Sequence, residues 1–127
     1  FMLIMQNYEK NKDMAKAIRD TLRVARQKAT GLNFLLSDGK KFYAYRNYTK
    51  RARKYTLYYL VRDLDGVRNP IEHLSKKTNQ KLCATGLHTG RTILFCSEKL
   101  TGEKWKRMRR GELVKVDKNL GVSIRKL

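Results

Sequence analysis

Two cysteines and two histidines are the residues of this 127-residue sequence that could support metal or thiol chemistry. They are Cys83, Cys96, His73 and His88. Zinc sites normally use closely spaced pairs such as C-x2-C, and no pair here has that spacing. Neither histidine is flanked by the Ser or Cys and the carboxylate that would indicate a local triad. The spacing therefore predicts no metal, no cofactor and no catalytic residue.

A second candidate site is the segment 40–55, where basic and aromatic side chains alternate. Its basic members are Lys40, Lys41, Arg46, Lys50, Arg51, Arg53 and Lys54, and its aromatic members are Phe42, Tyr43, Tyr45, Tyr48 and Tyr55. Cations beside aromatic rings are the groups that bind single-stranded nucleic acid. The same pattern is typical of a hairpin with an aromatic core face and a solvated basic face. Both interpretations stay open.

The charge balance bears on this choice. Thirty Lys and Arg against eleven Asp and Glu give a formal net charge of +19. Such an excess attracts polyanions, so we expect weak, sequence-independent nucleic-acid binding at low salt. An acidic partner segment that balances the charge, or a thermophile-type surface, would explain the excess equally well.

The cysteine count and the hydropathy pattern indicate the compartment. Two cysteines are too few for a disulfide framework, and we expect both to be small buried hydrophobic residues. No apolar run approaches the roughly 18 residues of a membrane span. We therefore expect a cytoplasmic protein with no membrane partner. Residues 1–5 are apolar and look like the interior of a helix, so we also expect a truncated or split chain.

Two helices are predicted at the start of the chain. Residues 1–8 have the pattern of a helix end, residues 9–12 form a polar break, and Asp13 can cap the next helix. Its apolar stripe consists of Met14, Ala17, Ile18, Leu22, Ala25 and Ala29. Gly31 is expected to turn left-handed just beyond the helix.

Strands are predicted for the rest of the chain. Asp38-Gly39 between two β-type runs indicates a hairpin, and residues 55–61 indicate a third strand. Residues 63–70 are predicted to form a loop, 92–96 a central buried strand, and 101–110 a short helical turn. A closing hairpin joins 111–117 to 122–125. Helices followed by hairpins predict one α+β domain with antiparallel sheets.

These segments, taken in order, resemble the second half of class II glutamine amidotransferase domains. That family has a hairpin ending in Arg-Asp or Arg-Asn, a strand of the Pro-Leu-Tyr-Tyr kind, and later a strand ending in Ala-Ser-Glu. The corresponding pieces here are Asp38-Gly39, residues 42–47, 56–59 and 95–101. In the stand-alone branch, Ser-Glu-Pro-Leu-Thr, a Trp and Gly-Glu-Leu-Val-x-Val-Asp recur, matched here by 97–101, Trp105 and 111–117.

The resemblance implies residues 1–127 as a single partial domain, half of an αββα N-terminal-nucleophile sandwich. The intact protein would release ammonia from glutamine through a terminal cysteine whose α-amine acts as the base. Residue 1 here is Phe, so no catalytic residue carries over. The motif residues Asp38, Gly39, Arg46, Asn47, Ser97 and Glu98 are expected to have structural roles.

The resemblance also implies a partner. The first half would be a separate chain or upstream sequence, or a second copy would take its place, and residues 1–5 would be buried in that contact. Apolar residues expected to need such a cover are Phe34, Leu36, Leu57, Tyr59, Ile93 and Phe95. The alternative is a basic nucleic-acid-binding α+β module that shares only the hairpin pattern.

Overall fold

The computed structural model describes residues 1–50, 54–64, 71–84 and 90–127. Two helices, α1 (Met2–Asn11) and α2 (Met14–Lys28), precede the strands. The strands are β1 (Gly31–Ser37), β2 (Phe42–Tyr48), β3 (Tyr58–Leu64), β4 (Ile71–Leu74), β5 (Lys81–Ala84), β6 (Gly90–Cys96), β7 (Lys106–Arg107), β8 (Glu112–Val116) and β9 (Val122–Lys126). All paired strands are antiparallel, which confirms the α+β prediction.

The chain divides into two compact units. The helical unit consists of Phe1–Tyr55 and Arg109–Leu127, and contains both helices and the sheet β1-β2-β8-β9. The strand unit consists of Thr56–Met108, and contains the sheet β6-β3-β7 and the hairpin β4-β5. Within the described ranges, no helix is long and apolar enough to cross a membrane.

The junction between the two helices follows the predicted capping. The Asp13 carboxylate accepts a hydrogen bond from the Lys16 N–H at 3.1 Å, which satisfies one free donor of the first turn of α2. Lys12 has a left-handed backbone (φ 52°), and its N–H donates to the Tyr8 carbonyl at 2.7 Å. The predicted break at residues 9–12 was too wide, because α1 continues to Asn11.

The expected left-handed turn at Gly31 is wrong. Helix α2 ends at Ala29, whose extended backbone leads directly into β1, and Gly31 is the first residue of that strand. A glycine is required there for space, because a Cβ atom at residue 31 would overlap the ring of Tyr55.

The core of the helical unit lies between the helices and one face of the four-stranded sheet. Its buried residues are Ile4, Met14, Ala17, Ile18, Leu22, Tyr43, Tyr45 and Leu113. Phe34 and Leu36 pack against this cluster, so the expectation that these two residues lack a cover is wrong. Two helices contribute to the core, where the sequence indicated only one amphipathic helix.

Register across this sheet arranges the helix-facing side chains in rows. One row runs Phe34, Tyr45, Leu113 and Arg125, and the next runs Leu36, Tyr43, Lys115 and Ser123. Each row is apolar or aromatic at β1 and β2 and becomes polar or basic at β9. The helices therefore have an apolar surface to cover only on the β1–β2 side and at Leu113.

Three predictions for the strand unit are wrong. Strand β3 begins at Tyr58 and not at residue 55. Strand β6 pairs only with β3 among the described strands and is half-buried at residues 92–96, so β3 and not β6 is central. Residues 101–110 form no helix; β7 pairs with β3 there, and Trp105 and Met108 on either side of it are buried.

The strand unit also contains the β4-β5 hairpin and both cysteines. The ambiguous residues 71–82 form most of the hairpin. Cys83 on β5 is exposed, contrary to expectation, and Cys96 is half-buried. Leu57 and Tyr59 are buried, and Tyr59 is paired with Phe95 across the strands with ring centroids 6.0 Å apart. Most of the loop predicted at 63–70 lies outside the described residues.

The first three residues of the chain are exposed. Phe1 is 76% exposed, Met2 70% and Leu3 41%. Their burial by a partner stays a prediction.

The packing of α2 generates a stability test. Ile18 is fully buried in the core, so we expect Ile18→Ala to lower the free energy of unfolding by about 2–5 kcal/mol, because the substitution removes packed methyl groups and leaves a cavity. Val24→Ala on the same helix removes a side chain that is 55% exposed, and should change stability by about 0.5 kcal/mol or less. Denaturant titration followed by far-UV circular dichroism measures both. Equal small changes would show that α2 does not pack on the sheet.

Candidate functional site

The Asp38-Gly39 motif forms the turn between β1 and β2. The Asp38 Oδ1 atom accepts from the backbone N–H of Lys40 at 2.9 Å and of Lys41 at 2.6 Å. Gly39 has φ 82°, a left-handed conformation that favours glycine. The two residues thus build the turn that sets the pairing Ser37 to Phe42.

The second Asp38 oxygen connects the turn to the core. The Tyr43 hydroxyl donates to Asp38 Oδ2 at 3.3 Å. Burial alone would raise the pKa of Asp38, but the backbone donors and the Tyr43 hydroxyl outweigh it and hold that pKa below its ordinary value. Burial and the neighbouring Asp38 carboxylate raise the pKa of Tyr43 to about 12. Tyr43 therefore stays a neutral donor at physiological pH.

Arg46 and Asn47 lie near the end of β2 and are both buried. Arg46 is only 2% exposed; its Nε donates to the Tyr55 carbonyl at 2.7 Å, and its guanidinium lies 4.6 Å from the centroid of the Tyr48 ring. Arg110 Nε donates to Asn47 Oδ1 at 3.4 Å and also lies over Tyr48. These contacts fix the end of β2 and the residues that follow it.

Ser97 and Glu98 follow β6 in the strand unit. The Ser97 carbonyl accepts from Thr56 Oγ1 at 2.6 Å. Glu98 Oε1 accepts from the Ser75 hydroxyl at 2.7 Å, and Glu98 Oε2 lies 3.6 Å from His73 Nε2. The Ser75 hydrogen bond is the main reason that the pKa of Glu98 is lowered. The Glu98 carboxylate is therefore engaged on both oxygens by residues of the β4-β5 hairpin.

A polar network in the same unit was missed by sequence reasoning. The buried Arg62 forms a bidentate ion pair with Glu103, in which Nε donates to Oε1 at 3.0 Å. Thr101 Oγ1 donates to Glu103 at 2.7 Å and accepts from the Trp105 indole N–H at 3.0 Å. Arg62 and Glu103 are 41 residues apart, so no local pattern could have paired them.

The basic and aromatic segment 40–55 does not form one surface. Tyr43 and Tyr45 are buried in the helix-facing core, and Arg46 is buried through its contacts with Tyr55 and Tyr48. Burial removes Arg46 from any surface that a polyanion could contact, which corrects its inclusion there. Lys40 and Lys41 are exposed in the β1–β2 turn, and Lys50 and Lys54 are exposed beyond β2. Arg51 and Arg53 lie outside the described residues.

The cysteines and histidines are not brought together as ligands. Within residues 1–50, 54–64, 71–84 and 90–127, no group of three or more His, Cys, Asp or Glu could hold a metal ion. His73 contacts Glu98, whereas Cys83 lies on β5 opposite Glu72. His88 lies outside the described residues.

The Asp38 contacts predict a pH dependence. Because the folded pKa of Asp38 lies below the unfolded value, the carboxylate contributes stability above about pH 4, and this contribution is lost as the pH falls through the folded pKa. We expect Asp38→Asn to be less stable than wild type at neutral pH and to lose less stability on acidification. Denaturant titrations at a series of pH values measure this, with Glu9→Gln on the exposed face of α1 as the control. Parallel curves for wild type and Asp38→Asn would show that Asp38 makes no such contribution.

The burial of Arg46 predicts a strong effect of a substitution that keeps its charge. Arg46→Lys loses the guanidinium Nε and leaves the Tyr55 carbonyl without that donor, so we expect unfolding free energy to fall by about 1–3 kcal/mol. Arg23→Lys, on the exposed face of α2, should change it by about 0.5 kcal/mol or less. If the two variants behave alike in denaturant titration, Arg46 does not brace the strand.

Comparison with known proteins identifies the family of the chain. A family model described as class-II glutamine amidotransferases matches residues 2–123. Searches of curated proteins and of solved structures each gave no match. The matched range includes both helices, both predicted hairpins of the helical unit and all of the strand unit. The chain therefore belongs to the class II glutamine amidotransferase family.

Proposed function

We propose that this chain forms the second half of a glutamine amidotransferase domain, and that the intact domain hydrolyses the side-chain amide of glutamine to release ammonia. The observation that carries the proposal is the family match over residues 2–123. Half of an αββα N-terminal-nucleophile sandwich is the architecture that this assignment implies.

The positions of the family-like motifs support the proposal. Asp38-Gly39 occupies the β1–β2 turn, and Arg46-Asn47 lies near the end of β2. Ser97-Glu98 directly follows β6, and Glu112–Val116 forms β8. An independent hairpin module would not need these motifs to occur in this order on successive strands.

The reaction needs a thiolate and a base. In the family, the thiolate adds to the amide carbon of glutamine, the C–N bond breaks, and ammonia leaves with the proton that the amine base has taken from the thiol. Water then hydrolyses the thioester to glutamate and regenerates the thiol. The energetic demand is to place a nucleophile and its base within hydrogen-bond reach of each other.

Neither cysteine of this chain meets that demand. Cys83 is on β5 and Cys96 is the last residue of β6, so each nitrogen belongs to a peptide bond and cannot act as a free amine. We propose that the nucleophile comes from a segment other than these 127 residues, on a separate chain, on the same chain or on a second copy.

The proposed contribution of this chain is structural. The buried Arg46, through the Tyr55 carbonyl, and Glu98, through Ser75 and His73, are positioning residues at strand ends. Their side chains are already occupied by protein partners. In this proposal they hold the strands that a nucleophile-bearing segment would join, and they do not contact glutamine.

The test compares two proteins for glutaminase activity. One is the chain 1–127, and the other is the translation product of the complete reading frame that contains it. We expect ammonia and glutamate from the complete product, and nothing above the blank from 1–127. An electrophilic glutamine analogue should label a terminal cysteine of the complete product, which peptide mass spectrometry identifies.

Matched cysteine variants give the control. Cys83→Ala and Cys96→Ala should leave the activity of the complete product unchanged. Ammonia release by chain 1–127, abolished by either substitution, would show that the nucleophile lies inside this sequence. A complete product that binds no glutamine analogue and releases no ammonia would contradict the proposed function itself.

A further inference from the structure

A basic groove opens at the β8–β9 side of the helical unit. Its cavity volume is about 440 Å³. Five cationic side chains line it: Lys12, Lys40, Lys41, Lys115 and Arg125. They come from the α1–α2 junction, the β1–β2 turn, β8 and β9, so four separate parts of the fold converge on one cavity.

Strand register explains why the cations face the same side. Lys115 is paired with Tyr43 on one edge and with Ser123 on the other, and Arg125 is paired with Leu113. All of these side chains point to the helix-covered face, since residues two apart on a strand share a face. The helices cover the rows only as far as Leu113, which leaves Lys115 and Arg125 beside the groove.

The acidic residues of the lining do not neutralise these cations by direct pairing. Asp13 accepts from the Lys16 N–H, and Asp38 uses both of its oxygens for the Lys40 and Lys41 N–H groups and the Tyr43 hydroxyl. Over the described part of the chain, no ion pair within 4.0 Å joins any of the five cations to a carboxylate. The groove thus holds cations whose N–H groups are available to a ligand.

The basic surface continues beyond this groove. An adjoining cavity of about 410 Å³ shares Asp13, Leu113 and Arg125 with it and adds Lys16, Arg19 and Lys126. A single phosphate would use only part of this length, whereas a chain of phosphates would follow it. The aromatic residues of the first cavity, Tyr8 and Tyr43, are half-buried and buried, so they offer no open platform for stacking.

We propose that this groove binds the phosphate backbone of nucleic acid without sequence preference. Lysine and arginine contacts to phosphates position a protein on a nucleic acid and carry no base information. Their binding free energy comes largely from released counterions and falls steeply with salt. This activity is independent of the proposed amidotransferase function and uses none of its motif side chains except Asp38, which supports the turn.

Fluorescence anisotropy with short labelled DNA, single-stranded and duplex, tests the groove. The groove variant replaces Lys12, Lys40, Lys41, Lys115 and Arg125 by Gln. The control variant replaces Lys10, Arg23, Lys28, Lys50 and Lys118 by Gln, five exposed cations of the same unit. Both variants lose the same formal charge, so any difference between them reports position and not net charge.

We expect the groove variant to bind at least about tenfold more weakly than wild type at about 50 mM salt, while the control variant stays within about threefold. The slope of log K against log salt should fall by about 0.9 for each phosphate that the variant no longer neutralises. Two DNAs of unrelated sequence should bind wild type equally. Equal weakening of both variants would attribute binding to net charge alone, and would overturn the proposal.

Two further measurements keep the outcome decisive. Circular dichroism checks that both variants are folded; if the fivefold groove variant is not, Lys40→Gln with Lys41→Gln is compared with Lys50→Gln plus Lys54→Gln. The Lys40 and Lys41 pair should weaken binding more, and the reverse order would overturn the assignment. Inorganic triphosphate should compete only at a large molar excess. Complete displacement at an equimolar ratio would assign the groove to a small phosphate ligand and not to nucleic acid.

Discussion

Strand β2 is paired along both edges, with β1 on one side and β8 on the other, and this double pairing fixes the direction of every side chain on it. Tyr43 and Tyr45 must then point to the helices, and Ala44 and Arg46 to the opposite face. A slip of one residue would exchange these two sets and place a guanidinium in the apolar core. The Asp38-Gly39 turn, which sets the β1–β2 register, therefore determines both the helix-facing core and the surroundings of Arg46.

The same register divides the charge of the protein in space. Apolar and aromatic side chains on β1 and β2 give the helices a surface to cover, whereas Lys115 and Arg125 on β8 and β9 face the same way beyond that cover. A net charge of +19 is therefore compatible with a packed core, because cations are collected where no helix has to desolvate them. Membership of the amidotransferase family and a concentrated basic surface are separate properties of one sheet.

Local patterns predicted the helical unit better than the strand unit. The Asp13 cap, the stripe of α2 and the two-sided alternation of residues 42–48 are short-range signals, and the structure has all three. Position within a sheet is not a short-range property. Residues 92–96 are as apolar as a central strand, yet β3 takes the centre because β7 pairs with its other edge.

The site residues show the same division. Asp38 and Gly39 could be assigned to a turn from two letters of sequence, because the contacts of that carboxylate are with residues at most five positions away. The partners of Arg46 and Glu98 are more distant in sequence, and the Arg62–Glu103 pair spans 41 residues. Such partners depend on how the sheets are ordered, which a resemblance to a family can imply but a local pattern cannot.

The network around Trp105 has a spectroscopic consequence. This residue is the only tryptophan of the chain; it is buried, and its indole N–H donates to Thr101 inside the strand unit. Both described helices belong to the helical unit, so the ellipticity of the protein arises mainly there. Tryptophan emission and helical ellipticity thus report on different halves of the same polypeptide. A denaturation followed with both signals therefore resolves whether the two units unfold as one cooperative system or in succession.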